Sequence, residues 1–153
     1  MKYRNYEVGF TFEVPDVFSE VKQSSYDVFD VPEDTMHYFI CLDENGDIIR
    51  SFSMVKDGPC NSDEDFNSIV KNALNDLEQI DVHVVQENQL RTESGKIIER
   101  KVLYDEDMEE DLGILMYFMR VKDIVLISSC YIEEFYDENE DELFAVFNSV
   151  KEV

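Results

Sequence analysis

Residues Ile114 to Met119 are apolar at every position: Ile114, Met116 and Phe118 on one side of an extended chain, Leu115, Tyr117 and Met119 on the other. Successive side chains of a strand point to opposite faces, so a strand apolar on both faces has to be covered on both. That requirement predicts three layers, a sheet with its last hairpin near the centre and helices on either side.

The rest of the chain supplies the layers. Apolar Phe66, Ile69, Val70, Ala73, Leu74, Leu77 and Ile80 recur at spacings of three and four, which predicts a helix over 61–80. Ser62 is its expected N-cap, and Asp63, Glu64 and Asp65 put negative charge on the positive end of its dipole. Asp65 stands where a capping-box Glu would, with a shorter reach. Leu143, Phe144, Phe147 and Val150 mark a closing amphipathic helix.

Strands are expected at 36–42 and 48–55, joined through Asn45-Gly46, a pair that tolerates the positive φ of a tight hairpin. Four more follow at 81–91, 96–104, 112–121 and 124–131, with Ser94-Gly95 and Lys122-Asp123 at two reversals. Near the start, Tyr6, Val8, Phe10, Phe12 and Val14 alternate with Glu7, Gly9, Thr11 and Glu13, predicting a first strand that Pro15 ends. Asp16 to Val21 is expected as a short helical turn and Tyr26 to Val31 as a short extended piece before Pro32. The 153 residues carry no repeat, linker or shift of composition, so one domain over 1–153 is expected, α+β, with an antiparallel sheet sandwiched between helices as α/β/α.

The order of these elements resembles the superfamily of PsbP-like and Mog-like proteins. Gly9-Phe10-Thr11-Phe12-Glu13-Val14-Pro15 is similar to the strand ending with which such domains begin. Phe144-Ala145-Val146-Phe147-Asn148-Ser149-Val150-Lys151 is similar to their closing helix, with a Ser near the last turn before an apolar residue and a Lys. The resemblance implies a binding module rather than an enzyme, and its motifs carry no functional residue across.

Charge narrows the function. With 13 Lys+Arg against 36 Asp+Glu, the formal charge of −23 repels phosphate backbones and anionic lipid. Neither nucleic acid nor a membrane surface is an expected partner; a protein, basic in character, is. No stretch reaches the roughly 18–20 apolar residues of a membrane span and the first residues form no secretory h-region, which predicts a cytoplasmic protein. Cys41, Cys60 and Cys130 are odd in number and form no Cys-x-x-Cys pair, so no disulfide framework and no zinc site is signalled. Cys41 and Cys130 read as small core hydrophobes and Cys60 as an unreactive loop thiol.

His37 and His83 fall inside expected strands and read as ordinary strand residues, one or both at the surface. No Gly-x-Ser-x-Gly elbow, Walker loop or His-Glu-x-x-His helix occurs, which argues against an enzyme, and no cofactor is implied. Two acidic runs, 105–111 and 133–142, lack the ligand spacing and turning Gly of an EF-hand, so no metal site is expected. They read as a solvated strand connection and a negatively charged helix N-terminus or, if the fold gathers them, as an anionic patch for a basic partner built from Asp105, Asp107, Glu109, Glu110, Glu138 and Asp141. The expected function is therefore a non-enzymatic interaction module, an adaptor or chaperone. The alternatives are an acidic inhibitor or immunity-type protein that neutralises a basic enzyme, and a small-molecule-binding domain.

Overall fold

The computed structural model describes the chain apart from residues 30, 32–33, 79–81, 92–95, 105–112 and 133–136. Over 77–78, 82–88, 90–91, 96–104, 113–114, 131–132 and 137–140 it describes the backbone alone. Ser94-Gly95 and the side chains of Leu77, Ile80 and His83 lie outside the described set.

Among the described residues, two antiparallel sheets and three α-helices form the fold. The small sheet has the order β1-β2-β10, from β1 (Lys2–Asn5), β2 (Phe10–Glu13) and β10 (Lys151–Glu152). The large sheet has the order β3-β4-β5-β9-β8-β7-β6. Its strands are β3 (Ser19–Glu20), β4 (Thr35–Leu42), β5 (Ile48–Asp57), β6 (Val82–Arg91), β7 (Lys96–Tyr104), β8 (Gly113–Val121) and β9 (Ile124–Ile132). The β8–β9 hairpin therefore sits inside the sheet, as its doubly apolar strand demands.

The two faces of β8 enter two different cores. Leu115, Tyr117, Met119 and Val121 pack with Phe10 and Phe12 of the small sheet and with Leu143, Val146 and Phe147 of α3 (Asp137–Asn148). Tyr117 and Phe147 stack at 5.3 Å between ring centroids. Met116 and Phe118 join Cys60, Phe66, Val70 and Val125 under α2 (Asp63–Glu78), with Ile69, Ala73 and Leu74 half-buried beside them. The Ser62 hydroxyl caps α2 by accepting the Asp65 N–H at 3.1 Å. The shorter Asp65 carboxylate reaches back to the N–H of Asn61, at 3.0 Å.

Three expectations near the N-terminus fail for identifiable reasons. Tyr6 to Gly9 is a turn rather than strand: Gly9 has φ +94, and Asn5 holds the loop by accepting the Val8 N–H at 2.8 Å on its side-chain oxygen. Asp16 to Val21 contains β3 instead of a helical turn, because the edge of β4 offers backbone partners; Val21 N–H donates to Tyr38 O at 2.8 Å. Tyr26 to Val31 begins as α1 (Tyr26–Phe29), which sets Phe29 against Tyr38 at 6.2 Å between centroids. Both segments are too short for periodicity to discriminate, so tertiary contacts decide them.

At the other terminus, α3 stops before Val150, which is buried just beyond it. The Ser149 hydroxyl donates to Val146 O at 2.6 Å and accepts the Glu13 N–H at 2.7 Å, tying the end of α3 to β2. That tie leads the chain into β10.

Candidate binding site

Catalysis by a nucleophile needs a base within hydrogen-bond reach. The described His37 is buried rather than at the surface, 8% exposed, in a cage of Phe12 and Phe39. The Asn5 amide nitrogen lies 3.0 Å from His37 Nε2. Because the Asn5 oxygen already accepts the Val8 N–H, its NH2 group faces the ring and Nε2 must accept. His37 is thereby the neutral tautomer with its proton on Nδ1, 3.6 Å from Glu20. Burial lowers its pKa below the ordinary 6.5, with the Glu20 carboxylate opposing.

Ser128, a buried hydroxyl on the same face, cannot use this ring. The register runs His37–Met54–Ser128–Tyr117 across four strands, so Met54 separates the two, about 10 Å apart at the sheet spacing. The three cysteines are buried free thiols. Burial raises the Cys130 thiol to about 11, partly offset by Arg50. Cys41 and Cys130 belong to the core as expected, and Cys60, on the loop before α2 as expected, is wholly buried under that helix.

The distinctive surface lies at one end of the large sheet. Leu42 pairs with Ile48 across the β4–β5 hairpin, and Ile49 is the extra residue of a bulge between the pairs Cys41–Arg50 and Leu42–Ile48. Val17 lies in the turn just before β3, whose Ser19 pairs with Ile40 of β4. These four side chains are exposed by 54% (Val17), 50% (Leu42), 45% (Ile48) and 55% (Ile49). Aliphatic side chains scattered singly need no explanation, but a group of them does.

The hairpin tip between them is acidic. Asp43 accepts the N–H groups of Asn45 and Asp47, both at 2.9 Å, so its carboxylate is spent on the turn, where Gly46 takes φ +83. Glu44 and Asp47 stay exposed. At the hairpin base the Arg50 guanidinium turns to the inner face, where it pairs with Glu142 of α3 and lies 5.2 Å over the Phe18 ring. Its charge is used there rather than beside the aliphatic group.

The expected acidic patch can be located only by its frame. Asp105, Asp107, Glu109 and Glu110 lie outside the described residues, as does the side chain of Glu138; Asp141 is exposed on α3, next to Glu142. The strand ends that flank the two acidic runs are nevertheless at this same end. Leu103 pairs with Gly113, Gly113 with Ile132, Tyr131 with Ser51, and Leu42 with Ile48. Sequence reasoning missed the aliphatic group because β4 and β5 read there as ordinary apolar strand ends; a bulge at a hairpin tip leaves no periodic signal.

Elsewhere, a groove of about 270 Å³ runs between β2 and the end of α3, with Lys2, Glu13, Asn148 and Lys151 on its walls. It is polar and open, unlike the mostly apolar cavities that hold small ligands. Among the described residues no group of three or more His, Cys, Asp or Glu is arranged to hold a metal, and no helix is long and apolar enough to cross a membrane.

Comparison with solved structures establishes the fold class: this is a PsbP-like fold. The cyanobacterial PsbP protein CyanoP of Synechocystis sp. PCC 6803 matches with a TM-score of 0.64 at 16% identity, over 100% of this chain and 92% of that one. A Bacteroides thetaiotaomicron VPI-5482 structure matches with a TM-score of 0.66 at 12% identity over 99% of this chain; the match spans only 48% of that longer chain. LpqN of Mycobacterium tuberculosis, described as involved in cell envelope biogenesis, matches with a TM-score of 0.53 at 11% identity, over 97% and 87% of the two chains. No protein-family profile and no curated protein sequence matches the chain.

Proposed function

We propose that this chain is a non-enzymatic protein-interaction module, an adaptor or chaperone in kind, which docks a protein partner at the β4–β5 end of its large sheet. The observation that carries the reading is the uncovered group Leu42, Ile48 and Ile49. Apolar area left in water is a standing cost of about 25 cal/mol per Å², which a partner's surface removes. The inward placement of His37, Ser128 and all three cysteines supports the same reading, since it withholds them from a substrate. Free buried thiols suit a reducing compartment, in keeping with a cytoplasmic home.

The test is site-specific photocrosslinking in the native cell. A photoreactive residue at position 49 should capture one protein reproducibly, while the same residue at exposed Lys71 on α2 should not. Equal capture at both positions, or none at position 49, would remove the reading.

A further inference from the structure

We propose that the partner docks through a basic amphipathic segment, with aliphatic or aromatic side chains on one side and Lys or Arg on the other. The inference rests on the reading that this end of the sheet docks a protein, and it names the chemistry of what docks. Leu42, Ile48 and Ile49 are the apolar seat. Glu44 and Asp47 at the tip are its exposed acidic rim.

Charge complementarity selects this occupant over the others. A wholly apolar segment would strip water from the rim carboxylates and return nothing, and desolvating an unpaired carboxylate costs several kcal/mol. A second copy of this chain, meeting the first through the same end, would bring two acidic tips and two chains of charge −23 into one interface, adding like charge to like. The cation at hand does not pre-empt the site, because Arg50 is held on the inner face by Glu142, Phe18 and the Cys41 sulfur at 3.9 Å. Incoming Lys or Arg side chains would therefore meet carboxylates that the structure leaves to solvent, in a chain whose charge of −23 steers them in.

The contact has two parts with separable signatures. The rim sets encounter rate and its loss with salt, while the aliphatic seat sets lifetime. A purely electrostatic attraction would spread over the acidic surface and would not need the seat.

The experiment uses the full isotope-labelled chain at 150 mM salt and three synthetic peptides followed by amide chemical shifts. One repeats Lys-Leu, one replaces each Leu by Ser, and one replaces each Lys by Gln. The Lys-Leu peptide should shift residues 41–50 saturably, and each replacement should weaken binding at least tenfold. The double variant Leu42→Ser/Ile49→Ser, checked for unchanged circular dichroism, should weaken the Lys-Leu peptide by a similar factor. Equal binding of the Lys-Ser peptide, or shifts spread evenly over the acidic surface, would show charge acting alone and overturn the inference. Equal binding of the Gln-Leu peptide would remove the rim's role and overturn it as well, as would no binding of the Lys-Leu peptide. Each of these leaves the docking reading to be judged by crosslinking at position 49, so the two can fail separately.

Discussion

Acidification should destabilise this protein in part through one residue whose contribution can be isolated. His37 is neutral in the fold, accepting from Asn5 at Nε2, and burial lowers its pKa below 6.5. The unfolded chain then binds more protons than the folded one below the ordinary value. The His37 contribution to stability is therefore intact above about pH 6.5 and is lost as the pH falls toward the folded pKa. The ceiling on that loss one pH unit below the ordinary value is about 1.4 kcal/mol, set by protonation of the unfolded imidazole alone. Protonation in place would aim an N–H at the Asn5 NH2, and Asn5 could accept it only by rotating its oxygen away from Val8 and freeing the β1–β2 turn. His37→Gln keeps an acceptor for Asn5 and does not titrate, so it serves as the reference even though its aromatic packing on Phe12 is lost. Urea denaturation of both proteins from pH 8 to pH 5.5 is the assay, and His83 and the carboxylates cancel in the difference. The stability advantage of the native protein should shrink as the pH falls. Parallel curves, or an advantage that grows on acidification, would refute the tautomer and burial argument.

Phe66→Ala should cost about 3–5 kcal/mol in urea unfolding, because Phe66 is buried between α2 and β8, whereas Asn67→Ala on the exposed side should stay within about 0.5 kcal/mol. Ser62→Ala should cost about 1 kcal/mol, the usual value of an N-cap, since it orphans the Asp65 N–H. All three thiols should react with an aromatic disulfide reagent at pH 8 only as fast as the protein opens; a rapid thiol in the folded state would contradict the burial of Cys41, Cys60 and Cys130.

The layers of this fold were legible because long elements repeat their signal. The doubly apolar run at 114–119 required cover on both faces, and Met116 and Phe118 do face α2 while Leu115, Tyr117 and Met119 face α3 and the small sheet. Asn45-Gly46 and the stripe on α2 likewise specified their elements locally. Short elements did not: β1, β3 and β10 exist because β2 and β4 present free edges to whatever chain passes, a condition no local pattern encodes. His37 shows the same limit, since its alternation in β4 gives a face but not the cage that Asn5, Phe12 and Phe39 build around it. The acidic runs were plain in the sequence, but the aliphatic group beside them was not. Leu42 and Ile48 come together only through the β4–β5 register, and Ile49 is turned out by a bulge.

The docking claim is tested most directly by quantitative capture from native-cell extract at physiological salt. The bait is the native protein, compared with the double variant Leu42→Ser/Ile49→Ser and with a control variant, Lys22→Gln/Lys71→Gln, altered at exposed sites elsewhere. The account predicts that the protein crosslinked at position 49 is recovered with the native and control baits and falls at least tenfold with the hairpin variant, whose circular dichroism is unchanged. Recovery of that protein in equal yield by all three baits would contradict the account, because a partner seated on Leu42 and Ile49 cannot be indifferent to their loss.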